Sequence, residues 1–246
     1  GPLSPLLSNI VLDELDRELD RRGLHFVRYA DDCNIFVRSE RAGHRVMASV
    51  VRFIEGRLRL KVNLAKSAVA RPEERHFLGF SLRPALLAER VEVLPSKRTR
   101  ERLREAIVAK TPRNWGGTLK SCISALNVYL RGWMGFFGVC TESVRVLLER
   151  SDAHIRRRLR ALLLKDWKRK RTVARKLIAL GVKRKTAWRS VYAGRRSVWS
   201  MSIAGAVERG LRNAYFADRG LVSLAQLWEA DPRRIVAPVQ LVLALG

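Results

Sequence analysis

Two neighbouring carboxylates, Asp31 and Asp32, are the residues best placed for chemistry, because apolar and other residues alternate on both sides of them, over 26–30 and 34–38. That pattern predicts two short strands joined by a tight turn. Adjacent side chains on a strand point to opposite faces, so the two aspartates serve one site only where the backbone bends. Side by side the anions repel, and a cation or basic partner must compensate them. Their hard oxygens suit Mg²⁺ better than zinc. An Asp-Asp pair is also ordinary turn chemistry, since short acidic side chains hydrogen-bond the local backbone. Lys66, taken by itself, is a solvated charge. The triplet Arg156, Arg157, Arg158 and the run Lys168, Arg169, Lys170, Arg171 are different. Between positions 150 and 196 there are 18 Lys and Arg against two acids, a density beyond what solubility needs, and phosphate contact accounts for it. Trp167, Trp188 and Trp199 are interleaved with these charges, which suits stacking on unpaired RNA bases.

The elements that must hold these groups follow from periodicity. Val11, Leu12, Leu15 and Leu19 recur at helical spacing between Ser4 and Arg22, with acids on the other faces and Gly23 beyond the end. A second apolar face, from Val46 to Ile54, predicts a helix over 41–57. Helices flanking a strand hairpin suit an α+β arrangement with helices behind a sheet. Leu58, Leu60, Val62 and Leu64 alternate, predicting extended chain that runs into a loop at Lys66. Two further strands are expected over 77–82 and 90–94. Pro95-Ser96 ends that pattern, with Ser96 as the cap of a helix starting at Lys97. Beyond it the sequence reads as helical, with candidates over 98–110, 119–137, 141–164, 172–180 and 185–192, separated by Pro and Gly.

Composition bounds the partners. The chain has 246 residues, 47% of them apolar, enough for a real core, and a net charge of +26. Such charge calls for a polyanionic partner, nucleic acid or an anionic membrane surface. The charge is uneven: residues 1–94 hold 16 Lys and Arg against 13 acids (+3), residues 95–246 the other 33 against 10 (+23). No run of 18 apolar residues exists, so no membrane span is expected. Cys33, Cys122 and Cys140 lack Cys-x-x-Cys spacing, which predicts a reducing, cytoplasmic setting without structural zinc.

Tyr29-Ala30-Asp31-Asp32 between its apolar arms resembles the palm signature of reverse transcriptases. Three more blocks resemble that family in the expected order: Gly1 to Asn9, Leu60 to Ser67, and Phe77-Leu78-Gly79-Phe80. Asn127 to Trp133, with Phe136 and Phe137, resembles the maturase domain of group II intron-encoded proteins. The resemblance implies a partial palm of antiparallel strands and packed helices over 1–94, an all-α thumb and maturase domain over 95–185, and a basic segment over 186–246 with a DNA-contacting role. It implies RNA-directed DNA polymerisation at two Mg²⁺ ions, with Asp31 and Asp32 as ligands. The family's third carboxylate sits on an earlier palm strand than this sequence includes. Tyr29 and Ala30 would lie beside the primer end, Phe77, Leu78, Gly79 and Phe80 would form the primer grip, and Lys66 would donate a proton to departing pyrophosphate. Arg131, Arg156, Arg157, Arg158, Lys168, Arg169, Lys170 and Arg171 would bind RNA. The implied partners are group II intron RNA, an RNA template with a DNA primer, target DNA, deoxynucleoside triphosphates and a complementing N-terminal fragment, in a ribonucleoprotein near the nucleoid. The alternative is an RNA-binding splicing maturase without polymerase activity.

Overall fold

The computed structural model describes residues 3–84, 91–194 and 197–235. Gly1 and Pro2 of the expected helix entry, Arg90 of an expected strand, and the tail from 236 lie outside these residues. The fold is α+β, in two compact units that meet at Ser81/Leu82.

In the first unit, α1 (Ser4–Arg21) leads into the hairpin β1 (His25–Tyr29) and β2 (Asp32–Phe36), followed by α2 (Glu40–Gly56). Leu12, Leu15 and Leu19 form one buried stripe of α1. They pack against Phe26, Cys33 and Ile35 of the hairpin and Val50, Phe53 and Ile54 of α2. Cross-strand partners Phe26↔Ile35 and Arg28↔Cys33 therefore share the inner face, while Val27↔Asn34 and Tyr29↔Asp32 share the outer one. The hairpin closes through two residues, Ala30 and Asp31, and Ala30 takes φ 55°, the left-handed conformation that brings the chain back on itself. Ser39 caps α2, its side chain accepting from the Ala42 amide at 3.2 Å.

The stretch over 58–64 pairs with no strand among the described residues, Arg59 at φ 53° interrupts its alternation, and the loop expected at Lys66 is a turn over 64–66. One expectation in this region needs correction. The stretch over 77–82 is not one strand but a tight hairpin. β3 (His76–Phe77) pairs antiparallel with the start of β4 (Phe80–Pro84), and Leu78 at φ 52° and Gly79 at φ 81° make the turn. Two successive positive φ values are the signature of the tight turn that suits strand twist, and they explain the glycine.

The second unit holds the end of β4, β5 (Val91–Pro95) and α3 (Lys97–Lys110), α4 (Leu119–Phe137), α5 (Arg145–Asp166), α6 (Lys170–Ala179) and α7 (Arg184–Tyr192). Four short helices follow: α8 (Val198–Met201), α9 (Gly205–Gly210), α10 (Asn213–Ala217) and α11 (Leu224–Glu229). Ser96 caps α3 as expected, accepting from the Thr99 amide, and Thr118 caps α4. The expected helix over 141–164 starts later, after a 3-10 turn at Glu142–Val144. Leu126 and Leu130 of α4, Leu148, Ile155 and Leu159 of α5, and Trp228 of α11 are buried. α5 touches α3, α8 and α11, while α6 and α7 pack on each other and on α9.

Candidate functional site

Asp31 lies in the hairpin turn and Asp32 opens β2 opposite Tyr29, so Asp32 and Tyr29 share the face turned away from α1. Both aspartates are exposed, and neither carboxylate has a hydrogen bond or ion pair among the described residues. Tyr29 is 63% exposed, so it is no core residue. The turn is braced from behind. Arg28, on the inner face, forks onto Asp16 of α1 with its Nε 2.7 Å from Oδ1. Its Nη1 donates to the Ala30 carbonyl at 2.8 Å and to Asn9 Oδ1 at 2.9 Å. Its hydrogen bonds to Asp16 raise the Arg28 pKa above its ordinary value. One guanidinium thus ties the helix to the backbone of the acidic turn while leaving both carboxylates free. Cys33 beside it is pushed up to about 11 by burial, an inert thiol.

A divalent ion needs more ligands than this pair offers. The two unpartnered carboxylates fit part of an oxygen-rich Mg²⁺ shell, and no group of three or more His, Cys, Asp or Glu side chains converges among the described residues. Lys66 sits in a turn, where the alternation placed a loop. Asn63 Oδ1 accepts from the Lys66 amide at 3.2 Å, and Ser67 Oγ donates to the Asn63 carbonyl at 3.0 Å, so these neighbours build the turn that presents an exposed ammonium. Phe77 and Phe80 are cross-strand partners flanking the turn residues Leu78 and Gly79.

The basic residues of the second unit divide into bound and unbound groups. Arg158 Nη2 donates to the Thr111 carbonyl at 2.6 Å and the Val108 carbonyl at 3.2 Å, closing the C-terminal end of α3. Arg157 lies over the Trp199 ring with its guanidinium carbon 3.9 Å from the centroid. Arg156 has no partner among the described residues. In the second run Lys170 donates to the Gly194 carbonyl at 3.3 Å and lies over Tyr192, while Lys168, Arg169 and Arg171 are exposed. Arg131 is exposed on α4, where Trp133 is buried and Phe136 is 51% exposed.

Comparison with known families falls on the same two units. A family model for reverse transcriptase (RNA-dependent DNA polymerase) matches residues 1–82, and one for the group II intron maturase-specific domain matches residues 97–178. The chain belongs to the group II intron reverse transcriptase/maturase family. No curated protein matches it. No described helix of this reverse transcriptase/maturase is long and apolar enough to cross a membrane. The two matches support reverse transcriptase/maturase function in general and imply nucleic acid as the partner.

Several structural residues of the maturase region escaped sequence reasoning. Asp152, buried in α5, accepts from Ser223 Oγ at 2.6 Å and from the Leu224 and Ala225 amides at 2.9 and 3.2 Å, so it caps α11 together with Ser223. Arg160, also buried, donates to the Leu211 carbonyl and to Glu208, both at 3.0 Å. Asn127 clamps Gly220 and Val222. The partners lie 48–95 positions away in sequence, beyond any local pattern. A signal existed for Arg28 and Asp16: opposite charges on a helix and a strand expected to pack together. His154 is held below its ordinary pKa range by burial and by the charges of Arg158, Arg104 and Arg157.

Proposed function

We propose that this protein is an RNA-directed DNA polymerase that also binds its intron RNA to assist splicing and mobility. The observation that carries this is the exposed, unpartnered Asp31-Asp32 turn in a chain that matches both the reverse transcriptase and the maturase models. Asp31 and Asp32 would hold two Mg²⁺ ions, which when bound acidify the primer hydroxyl and neutralise the triphosphate. Tyr29, on the open face beside Asp32, and Ala30 border the primer end. The Lys66 ammonium carries the proton that pyrophosphate takes on leaving. The hairpin tip from Phe77 to Phe80 supports the primer backbone. Arg131, Arg156, Lys168, Arg169 and Arg171 supply charge to intron RNA, with target DNA meeting the segment after 185.

Polymerisation by this reading needs a third carboxylate beside Asp31 and Asp32, which a further palm strand joined to the chain would bring. A second apolar stripe of α1 supports this: Leu6, Leu7 and Ile10 are 56–61% exposed, on a helix whose opposite side is buried. Primer extension on an RNA template with Mg²⁺ tests the proposal. The chain alone should incorporate no nucleotide, a chain joined to a family N-terminal fragment should extend the primer, and Asp31→Asn should abolish that extension. RNA binding and splicing assistance that persist with no extension in any combination would favour the rival reading, a splicing maturase without polymerase activity.

A further inference from the structure

A cleft of about 740 Å³ opens between α5 and the segment running from Ile203 through α9 into α10. Its walls join Arg156 and Arg157 of the first charge run to residues outside both runs: His154 and Arg160 from α5, and Arg212 ahead of α10. Four guanidinium groups face one carboxylate, Glu208, and that carboxylate is already engaged by Arg160. The floor is rigid. Arg160 is buried and held at the Leu211 carbonyl, and Arg157 is stacked on Trp199 with Nη2 3.4 Å from the Trp199 carbonyl. The rim is unspent. The side chains of Arg156 and Arg212 have no hydrogen-bond or ion-pair partner among the described residues. Two side-chain nitrogens at the cleft, Arg157 Nε and His154 Nε2, are buried without a hydrogen-bond partner. Buried polar atoms of native folds are rarely left so, and each unmatched one calls for an ordered water, an ion or a ligand oxygen. The Arg157 N–H lacks an acceptor, in a setting that is cationic and fixed in advance, which is the condition under which guanidinium groups bind phosphate oxygens most strongly.

We propose that this cleft binds the phosphodiester backbone of a single strand, with Arg156 and Arg212 each holding a phosphate and Arg157 lining the floor. The assignment rests on the nucleic-acid reading above and deepens it: the cleft lies between α5 of the maturase-specific segment and residues beyond that segment's match, which ends at 178. The strand is seated by its backbone, so RNA and DNA present the same chemistry. The stacked Trp199 serves to hold the Arg157 plane rather than to read a base.

The test is a salt titration of the full chain by fluorescence anisotropy, using a labelled mixed-sequence RNA oligonucleotide and a DNA of the same sequence. Each phosphate neutralised on a single strand contributes about 0.7 to the slope of log K against log salt. Arg156→Gln/Arg212→Gln should therefore lower the slope by roughly 1.4 and weaken binding about tenfold or more at 0.1 M salt. The melting temperature should change little, because neither side chain has a hydrogen-bond or ion-pair partner among the described residues. Arg156→Lys/Arg212→Lys should keep most of the slope. Loss with RNA alone, or with DNA alone, supports the cleft and identifies the strand it serves. A wild-type slope in the Gln variant, with the loss found instead in Lys168→Gln/Arg169→Gln/Arg171→Gln, overturns the cleft and leaves the nucleic-acid reading standing. Failure of the unmodified chain to bind either strand overturns both.

Discussion

Arg28 has more to do than any other residue of the acidic turn's surroundings. It is 11% exposed in its side chain and spans Asp16, Asn9 and the Ala30 carbonyl. Charge-assisted hydrogen bonds of this kind contribute about 1.5–3 kcal/mol, and removing one partner strands the other. Arg28→Leu should lower stability by about 1–3 kcal/mol in urea unfolding and speed amide exchange at the turn, whereas Arg28→Lys should restore part of the stability but not the fork. Glu18 gives a pH signature. Hydrogen bonds from Arg21 and Arg22 hold its carboxyl down to about 2 from an ordinary 4.5. A carboxyl depressed in the fold stabilises it above the unfolded value, so this contribution is full above about pH 4.5 and is lost as pH falls through about 2. Glu18→Gln should therefore flatten the acid limb of the stability profile between those values, read as unfolding midpoints across a pH series.

At the scale of elements, the tip between β3 and β4 makes the sharpest claim. A side chain at the φ 81° of Gly79 costs about 1–2 kcal/mol, so Gly79→Ala should destabilise the hairpin by that amount in denaturant unfolding. The same element shows where sequence reading stops. Phe77-Leu78-Gly79-Phe80 looked continuous because apolar residues fill it, and only the backbone shows that Leu78 joins Gly79 in the left-handed region. Arg59 broke the alternation over 58–64 in the same silent way. By contrast the bounds of α4, Leu119–Phe137, were fully legible, since Thr118 and Gly138 punctuate a long periodic face. The hairpin around Asp31 and Asp32 was legible for a similar reason, two alternating arms about a polar pair. α8 to α11 were not: helices of four to six residues are shorter than two turns and leave no periodic trace. Nor did the charge runs show which guanidinium groups the fold keeps for itself. Arg158 closes α3, so neutralising the whole 156–158 triplet would remove a structural clamp along with any contact to RNA.

Across the whole molecule, charge and architecture coincide. The +23 of residues 95–246 sits in the helical unit and the nearly neutral stretch carries the acidic turn, as expected if one part grips polyanion and the other does chemistry on it. The helical unit is also stitched over long distances, because Asp152 and Arg160 of α5 find their partners at Ser223 to Ala225 and at Glu208 and Leu211. Ending the chain after Ala204 would leave a buried carboxylate and a buried guanidinium without those partners, and breaking such contacts costs several kcal/mol. The truncated protein should lose its cooperative melt or show a melting temperature well below that of the chain through Ile235, by calorimetry. The same stitching sets a clock. A ribosome adds about 5–20 residues per second, so the 51 positions between Arg160 and Leu211 take roughly 3–10 s to emerge. Throughout that interval the nascent α5 carries a charge that water, or a chaperone, must shield. Until Leu211 has emerged, the native seat of Arg160 cannot form.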